Sequence, residues 1–236
     1  MNQKVVWITG ASTGIGFETA KVFSKAGYVV VATARRKSRL VTLVNEIKFA
    51  GREAYAFVCN VQSERSIIST KKKILERCGT IDVLVNNAGV TIYKKFIETK
   101  TPEFDNIMDT NLRGSFVAAK AVLPLMLKKR KGHIINVVSV AANTYFHDSA
   151  AYSASKAGLL ALMNVLRKEV RKFNIKISCI LPGAVDTPMW DSRSRQRYSK
   201  RMMTPREIGN IIVQIAEQPK KVLIEDVVVR PIRGDI

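Results

Sequence analysis

The sequence predicts a single-domain α/β protein with a doubly wound, seven-stranded parallel sheet and helices on both faces. Three observations carry this. Short apolar strand-like runs alternate with helical patterns along the whole chain, as βαβ units require. The run from Tyr28 to Thr33 is continuously apolar and β-rich rather than alternating, as in a parallel strand buried on both faces. No Pro/Gly/Ser-rich linker, internal repeat or low-complexity tract divides the 236 residues, a length such domains reach undivided.

The elements follow in order. Val5–Thr9 is the first strand and runs into the turn Gly10-Ala11-Ser12-Thr13-Gly14-Ile15-Gly16. A helix over 17–25 is stopped by Gly27. The second strand covers 28–33, a polar helix covers 38–50 before Gly51, and the third strand covers 54–59. A helix over 63–77 precedes Gly79, and the strand 81–85 ends in Asn86-Asn87-Ala88-Gly89. Thr101-Pro102-Glu103 reads as a cap with proline in the first turn, and a second helix spans about 110–129. The fifth strand, 133–138, ends at Ser139, and a helix runs from Ala150 to about Lys172. The sixth strand, 175–181, is broken by Pro182-Gly183. Residues 186–203 read as polar and irregular, Thr204-Pro205-Arg206-Glu207 opens a last helix to about Gln218, and 221–230 is the seventh strand. Crossovers are expected to be right-handed.

Composition narrows the class. Hydrophobic residues make up 47%, enough for a sizeable core, yet no apolar run approaches the ~20 residues of a membrane span. Met1 to Val5 enters a strand at once, without the apolar core of a secretion signal. Cys59, Cys78 and Cys179 are odd in number and scattered, which argues against a disulfide framework or a zinc site. A reducing, cytoplasmic location is the expectation. The net charge is +20. A field of that sign attracts phosphorylated ligands, acidic proteins and nucleic acid. The charges are dispersed, however, and no nucleic-acid motif accompanies them, so a solvated basic surface is the expectation, with neither a nucleic-acid nor a membrane partner.

Two stretches carry chemistry on their own terms. Tyr152 and Lys156 are four apart on a helix and share a face. A neighbouring cation favours phenolate, so the pair is a candidate proton-transfer device. The second is the turn of residues 10–16, where strand, glycines and helix N-terminus make an anion site. Gly10 and Gly14 allow the tight turn and close approach, and Gly16 lets the helix pack. At the end of the second strand an acid would bind the ribose hydroxyls of NAD. Ala34 stands there instead, followed by Arg35, Arg36 and Lys37. Arginine beside a small uncharged residue suits a 2′-phosphate, and hence NADP(H); a solvated basic helix start is the competing account.

Taken together, residues 9–16, Asn86-Asn87-Ala88-Gly89, Ser139 and Tyr152-x-x-x-Lys156 resemble the short-chain dehydrogenase/reductase family, a Rossmann fold, over essentially the whole chain. Ser139 lies 13 residues before Tyr152, the family spacing. The resemblance implies a catalytic set of Asn111, Ser139, Tyr152 and Lys156. Tyr152 would protonate a substrate carbonyl, Lys156 would lower the tyrosine pKa and bond the nicotinamide ribose, and Ser139 would hold the substrate oxygen. Asn111 would fix a helix kink and a water leading to Lys156. It also implies NADP(H) held by the glycine-loop residues Gly10, Ser12, Thr13, Gly14, Ile15 and Gly16, with Arg35 and Arg36 at the ribose. Asn60 and Val61 would lie near the adenine, where the family usually has an acid in place of Asn60. Asn86, Asn87, Ala88 and Gly89 would line the adenosine side and hold the central strand. Pro182, Gly183, Val185 and Thr187 would meet the nicotinamide.

Substrate choice is expected in a lid, about 187–203. Met189 and Trp190 are its apolar candidates for a pocket wall, and His147, in the loop before Tyr152, is a third substrate candidate. Arg193, Arg195, Arg197, Lys200 and Arg201 either make a solvated lid or, with the basic run 128–131, receive an anionic or carrier-linked substrate, as in the family's 3-oxoacyl-acyl-carrier-protein reductases. Thr187 to Trp190 and the tail from Val229 to Ile236 look more like reductases of the sepiapterin or hydroxy-acid type. The expected substrate is a small carbonyl/alcohol pair, and a homotetramer or homodimer is implied by resemblance. A non-catalytic NADP-binding sensor is the alternative of another class. His133, Cys179 and Trp7 are expected in the core.

Overall fold

Alternate residues of the first strand feed two separate cores. Val5 and Trp7 pack on one face of the sheet, and Val6 and Ile8 on the other. The structure, a computed structural model, describes residues 3–234. The outermost residues of the amino-terminal stretch and of the basic tail, Met1, Asn2, Asp235 and Ile236, lie outside the described residues.

The strands are β1 (Val5–Thr9), β2 (Val29–Ala34), β3 (Ala54–Val58), β4 (Val83–Asn86), β5 (Gly132–Val137), β6 (Ile175–Pro182) and β7 (Asp226–Val229). The helices are α1 (Gly14–Lys25), α2 (Lys37–Phe49), α3 (Glu64–Cys78), α4 (Thr101–Met108), α5 (Gly114–Lys129), α6 (Ala150–Val170), α7 (Ser192–Tyr198) and α8 (Pro205–Ala216). Among the described residues the sheet has seven strands, ordered β3-β2-β1-β4-β5-β6-β7. Every pairing is parallel. The doubly wound seven-stranded sheet read from the sequence is therefore the fold observed.

Helix ends follow their local chemistry. The Ser63 hydroxyl caps α3 by accepting from Ser66 N at 3.2 Å, and Gly79 takes the left-handed conformation after it. Thr204 and Glu207 form a capping box, with Glu207 N donating to Thr204 Oγ1 at 3.3 Å and Thr204 N to Glu207 Oε2 at 2.6 Å.

Several boundaries differ from the sequence reading, and four have a clear physical reason. The α1 helix begins at Gly14 rather than Phe17, because the last two loop glycines already lie in its first turn. Thr101 is the first residue of α4, not its cap: Lys100 holds that place, and its N–H donates to Glu103 Oε2 at 3.0 Å. The region read as irregular contains α7, capped by Asp191, whose Oδ1 accepts from Arg193 N at 2.9 Å and Ser194 N at 3.0 Å. And β7 is short. Lys176 Nζ holds the carbonyls of Gln218 and Pro219 at 3.1 and 2.7 Å, so the chain crosses the start of β6 as a turn, and only Cys179 to Pro182 remain for pairing.

Candidate active site

The order of the sheet reverses between β1 and β4, and in open α/β sheets ligands bind at that crevice beyond the carboxyl ends of the strands. A cleft of about 1030 Å³ lies there. Of the catalytic, cofactor and pocket-wall candidates read from the sequence, all but Gly16, Asn86 and Asn111 line it.

One end is built on the glycine loop. Gly10 has φ +67° and Gly14 φ +61°, a conformation that side chains disfavour. A Cβ on Gly10 would stand 2.7 Å from Ala88 Cα, and one on Gly16 2.3 Å from Asn87 Nδ2. The close packing is held by two side chains. Thr9 Oγ1 accepts from the Asn87 and Ala88 N–H groups, both at 3.1 Å. Asn87 Nδ2 donates to Thr9 O at 2.9 Å and Gly10 O at 3.1 Å. Thr13, at the cap of α1, makes no side-chain capping bond, which leaves the first-turn N–H groups to a ligand. Arg36 reaches back over the loop, with Nη2 donating to Ser12 Oγ at 3.3 Å and Thr13 Oγ1 at 3.5 Å. Arg35 is exposed and also lines the cleft. Beyond β3, Asn60 Oδ1 accepts from Gln62 N at 3.2 Å.

At the middle of the cleft stand Ser139, Tyr152 and Lys156. Ser139 follows β5, is buried, and its Oγ accepts from Ala141 N at 3.1 Å. Burial pushes the Tyr152 phenol up to about 12, with the Ser139 hydroxyl acting in the opposite direction. Burial pushes Lys156 down to about 8. Its Nζ donates to Val137 O at 2.8 Å and lies 5.7 Å from the Tyr152 ring centroid. The expected depression of the tyrosine pKa by its lysine is therefore not what this geometry yields: desolvation dominates both groups.

Asn111 sits behind these residues, fully buried in a π-helical turn, Asp109–Arg113, between α4 and α5. Its Nδ2 donates to Val90 O at 2.9 Å and Ser155 Oγ at 3.0 Å, and its Oδ1 accepts from Val90 N at 2.8 Å. It thus ties the loop after β4 to α6. A Cβ on Gly89 would lie 3.5 Å from Asn111 Oδ1 and 3.7 Å from Lys156 Nζ, so both groups lie close to that glycine. Asn86 points elsewhere, into a buried bond from its Nδ2 to Asn136 Oδ1 at 3.0 Å.

The far end holds Met189, Trp190 and His147, as expected, together with Thr91, Tyr93 and Phe146, which sequence reasoning missed. Tyr93 stacks on Trp190 with ring centroids 6.0 Å apart. Val185 bridges Met203 at the base of residues 187–202, of which Thr187, Pro188, Met189 and Trp190 line the cleft. The basic lid residues Arg193, Arg195, Arg197, Lys200 and Arg201 do not line the cleft, and Arg195 Nε pairs with Asp186 Oδ1 at 2.6 Å. His133, Cys179 and Trp7 are core residues, buried as expected. Among the described residues no group of His, Cys, Asp and Glu is placed to hold a metal ion, and no helix is long and apolar enough to cross a membrane.

Fold and cleft together define a doubly wound α/β protein with a glycine loop at one end of its site, Ser139, Tyr152 and Lys156 at the middle and an aromatic wall at the other end. The short chain dehydrogenase family model matches residues 4–198, and the chain belongs to that family, whose members are oxidoreductases. It is 34% identical over 239 residues to a sepiapterin reductase of Chlorobaculum tepidum, covering 98% of each chain. Among solved structures it is similar to a metagenomic short-chain oxidoreductase in complex with NADP, with 33% identity, a TM-score of 0.86, and 97% and 96% of the two chains covered. A variant of actinorhodin polyketide ketoreductase with NADPH gives 30% identity and a TM-score of 0.90, with the same coverage.

Proposed function

We propose that the protein is an NADP(H)-dependent oxidoreductase that interconverts a ketone and a secondary alcohol, working in the cell as a reductase. The observation that carries this is one continuous cleft joining the glycine loop and Arg36 to Ser139, Tyr152 and Lys156. The site fits the cofactor: a Cβ would fill the cradle at Gly10, the first turn of α1 offers N–H groups to a pyrophosphate, and Arg35 and Arg36 offer charge to a 2′-phosphate. Asn60 and Val61 would flank the adenine, and Pro182, Gly183, Val185 and Thr187 the nicotinamide. When bound, the nicotinamide supplies or accepts the hydride.

The chain's own residues do the rest. Tyr152, held protonated by burial, gives its phenolic proton to the carbonyl oxygen. The Ser139 hydroxyl donates to that same oxygen and holds it as charge develops. Lys156 would hold the nicotinamide ribose, and Asn111, which like Lys156 lies close to Gly89, supports a path that returns the proton to the phenol. Residues 187–203 act as the lid. A homotetramer built through α5 and α6, and through α8 and β7, is part of this reading, supported by exposed Phe116, Val165 and Val228 on those elements. The three free cysteines support a cytoplasmic setting.

The test is oxidation of NADPH, and separately NADH, against a panel of ketones, with Tyr152→Phe beside the wild type. Turnover that prefers NADPH and disappears in the variant upholds the proposal. Tight NADPH binding with no turnover on any ketone would instead favour a cofactor sensor.

A further inference from the structure

The substrate end of the cleft is walled from three separate loops. Tyr93 comes from the loop after β4, Phe146 from the loop after β5, and Met189 and Trp190 from the loop after β6. Two of these loops touch through one contact, the stacked rings of Tyr93 and Trp190, at 6.0 Å and 23°. The indole N–H of Trp190 donates to Val185 O at 3.1 Å. That bond fixes the ring and spends its polar atom on the protein, so Trp190 offers π surface to the cleft. Tyr93 is 49% exposed, leaving ring area for a ligand.

Charge narrows the ligand further. Among the described residues, the Asp, Glu, Lys and Arg side chains lining the whole cleft are Arg35, Arg36 and Lys156, and His147 lines it as well. The two arginines belong to the glycine-loop end, and Lys156 gives its bond to Val137 O. An anionic substrate at the aromatic end would lose water without gaining a lysine or arginine partner there. A flat neutral ring would instead gain offset stacking on the aromatic pair.

We infer that the substrate is a neutral ketone conjugated to a planar ring, the ring lying against Tyr93 and Trp190 while the carbonyl oxygen reaches Tyr152 and Ser139. This rests on the oxidoreductase reading above and adds the ligand class. Tyr93 and Trp190 are then the residues that set specificity.

The experiment compares isatin, a flat neutral ring ketone, with diacetyl, a small aliphatic one, and acetoacetate, an anion, using NADPH. Isatin is expected to give the highest kcat/KM and acetoacetate the lowest. Trp190→Leu should lower the isatin-to-diacetyl ratio of kcat/KM by about three- to tenfold, mainly through KM, as the loss of one stacking contact implies. Trp190→Phe should restore most of it. A preference for acetoacetate, or equal losses for isatin and diacetyl in Trp190→Leu, overturns the inference. Ligand binding is read separately, as quenching by isatin of the fluorescence present in wild type and absent in Trp190→Leu, at saturating NADPH. If no ketone is reduced, the activity reading fails, and this quenching still decides the ligand class: quenching by isatin and not by acetoacetate upholds it, and no quenching by isatin overturns it.

Discussion

Lys156 lies with its ammonium nitrogen 5.7 Å from the centroid of the Tyr152 ring, yet its hydrogen bond goes to Val137 O at 2.8 Å. The two side chains share a helix face and a buried site, and burial moves them in opposite senses. The phenol rises to about 12 and the ammonium falls to about 8. Both groups are driven toward their neutral forms, which favours a tyrosine that gives a proton over one that takes it.

The direction of catalysis should therefore show in its pH dependence. Below about 12 the phenol is protonated, so ketone reduction should not change through Tyr152 ionisation across the neutral range. Alcohol oxidation needs phenolate, and its rate should rise about tenfold per pH unit until another step limits it. Tyr152→Phe should lower kcat by about a hundred- to ten-thousandfold while NADPH affinity changes little. An oxidation rate flat with pH would remove Tyr152 from the proton step.

Lys156 should also leave a mark on stability. Its folded value is about 8 against an ordinary 10.5. Between those values the unfolded chain binds more protons, so wild-type stability rises with pH there, and below about 8 the cost of the buried charge is present in full. A shift of this size corresponds to ~3 kcal/mol. Lys156→Met removes that cost and leaves Val137 O without its donor, a loss of about 1–3 kcal/mol. The two terms nearly cancel near neutrality. The pH trend does not cancel: from neutrality to about pH 10, the variant should lose roughly 5–10 °C of melting temperature relative to wild type. A difference that stays constant with pH would mean that Lys156 is not desolvated in solution.

How much of this was legible depends on whether the cause was local. The opening of the last helix at Thr204 to Glu207, the glycine turn and the apolar runs of the sheet are set by neighbours in sequence, and each was legible there. The length of β7 was not, because Lys176 decides it from another strand. Asn111 was found by its place in the family pattern; nothing in Asp109-Thr110-Asn111-Leu112 itself announces a π turn. Tyr93 was missed because its partner, Trp190, lies in a distant irregular loop, where no periodicity marks the contact. Asp191, by contrast, was an available signal for α7, since an acid ahead of a helical run is a cap.

Thr9 gives a test of the glycine loop that leaves the loop's own residues untouched. Its hydroxyl accepts from Asn87 N and Ala88 N. Thr9→Val keeps the shape and withdraws the acceptor, leaving two N–H groups unsatisfied. Thermal unfolding should show a loss of about 1–3 kcal/mol, and KM for NADPH should rise. Thr9→Ser should recover both. If Thr9→Val melts as wild type does, the staple is not holding the loop.

Arg36 and Arg35 divide the cofactor question. Arg36 is bonded across the loop to Ser12 and Thr13, whereas Arg35 stands exposed beside Ala34. A charge-assisted bond from either to a 2′-phosphate corresponds to about 1.5–3 kcal/mol, so Arg36→Ala should raise KM for NADPH roughly ten- to a hundredfold with a smaller change for NADH. Added salt should weaken NADPH more than NADH in the wild type and narrow that gap in the variant. Ala34→Asp should move preference the same way, since it restores the acid that binds ribose hydroxyls and repels a phosphate. Equal losses of NADPH and NADH in Arg36→Ala would mean that Arg36 shapes the glycine loop through Ser12 and Thr13 and leaves the 2′-phosphate to Arg35.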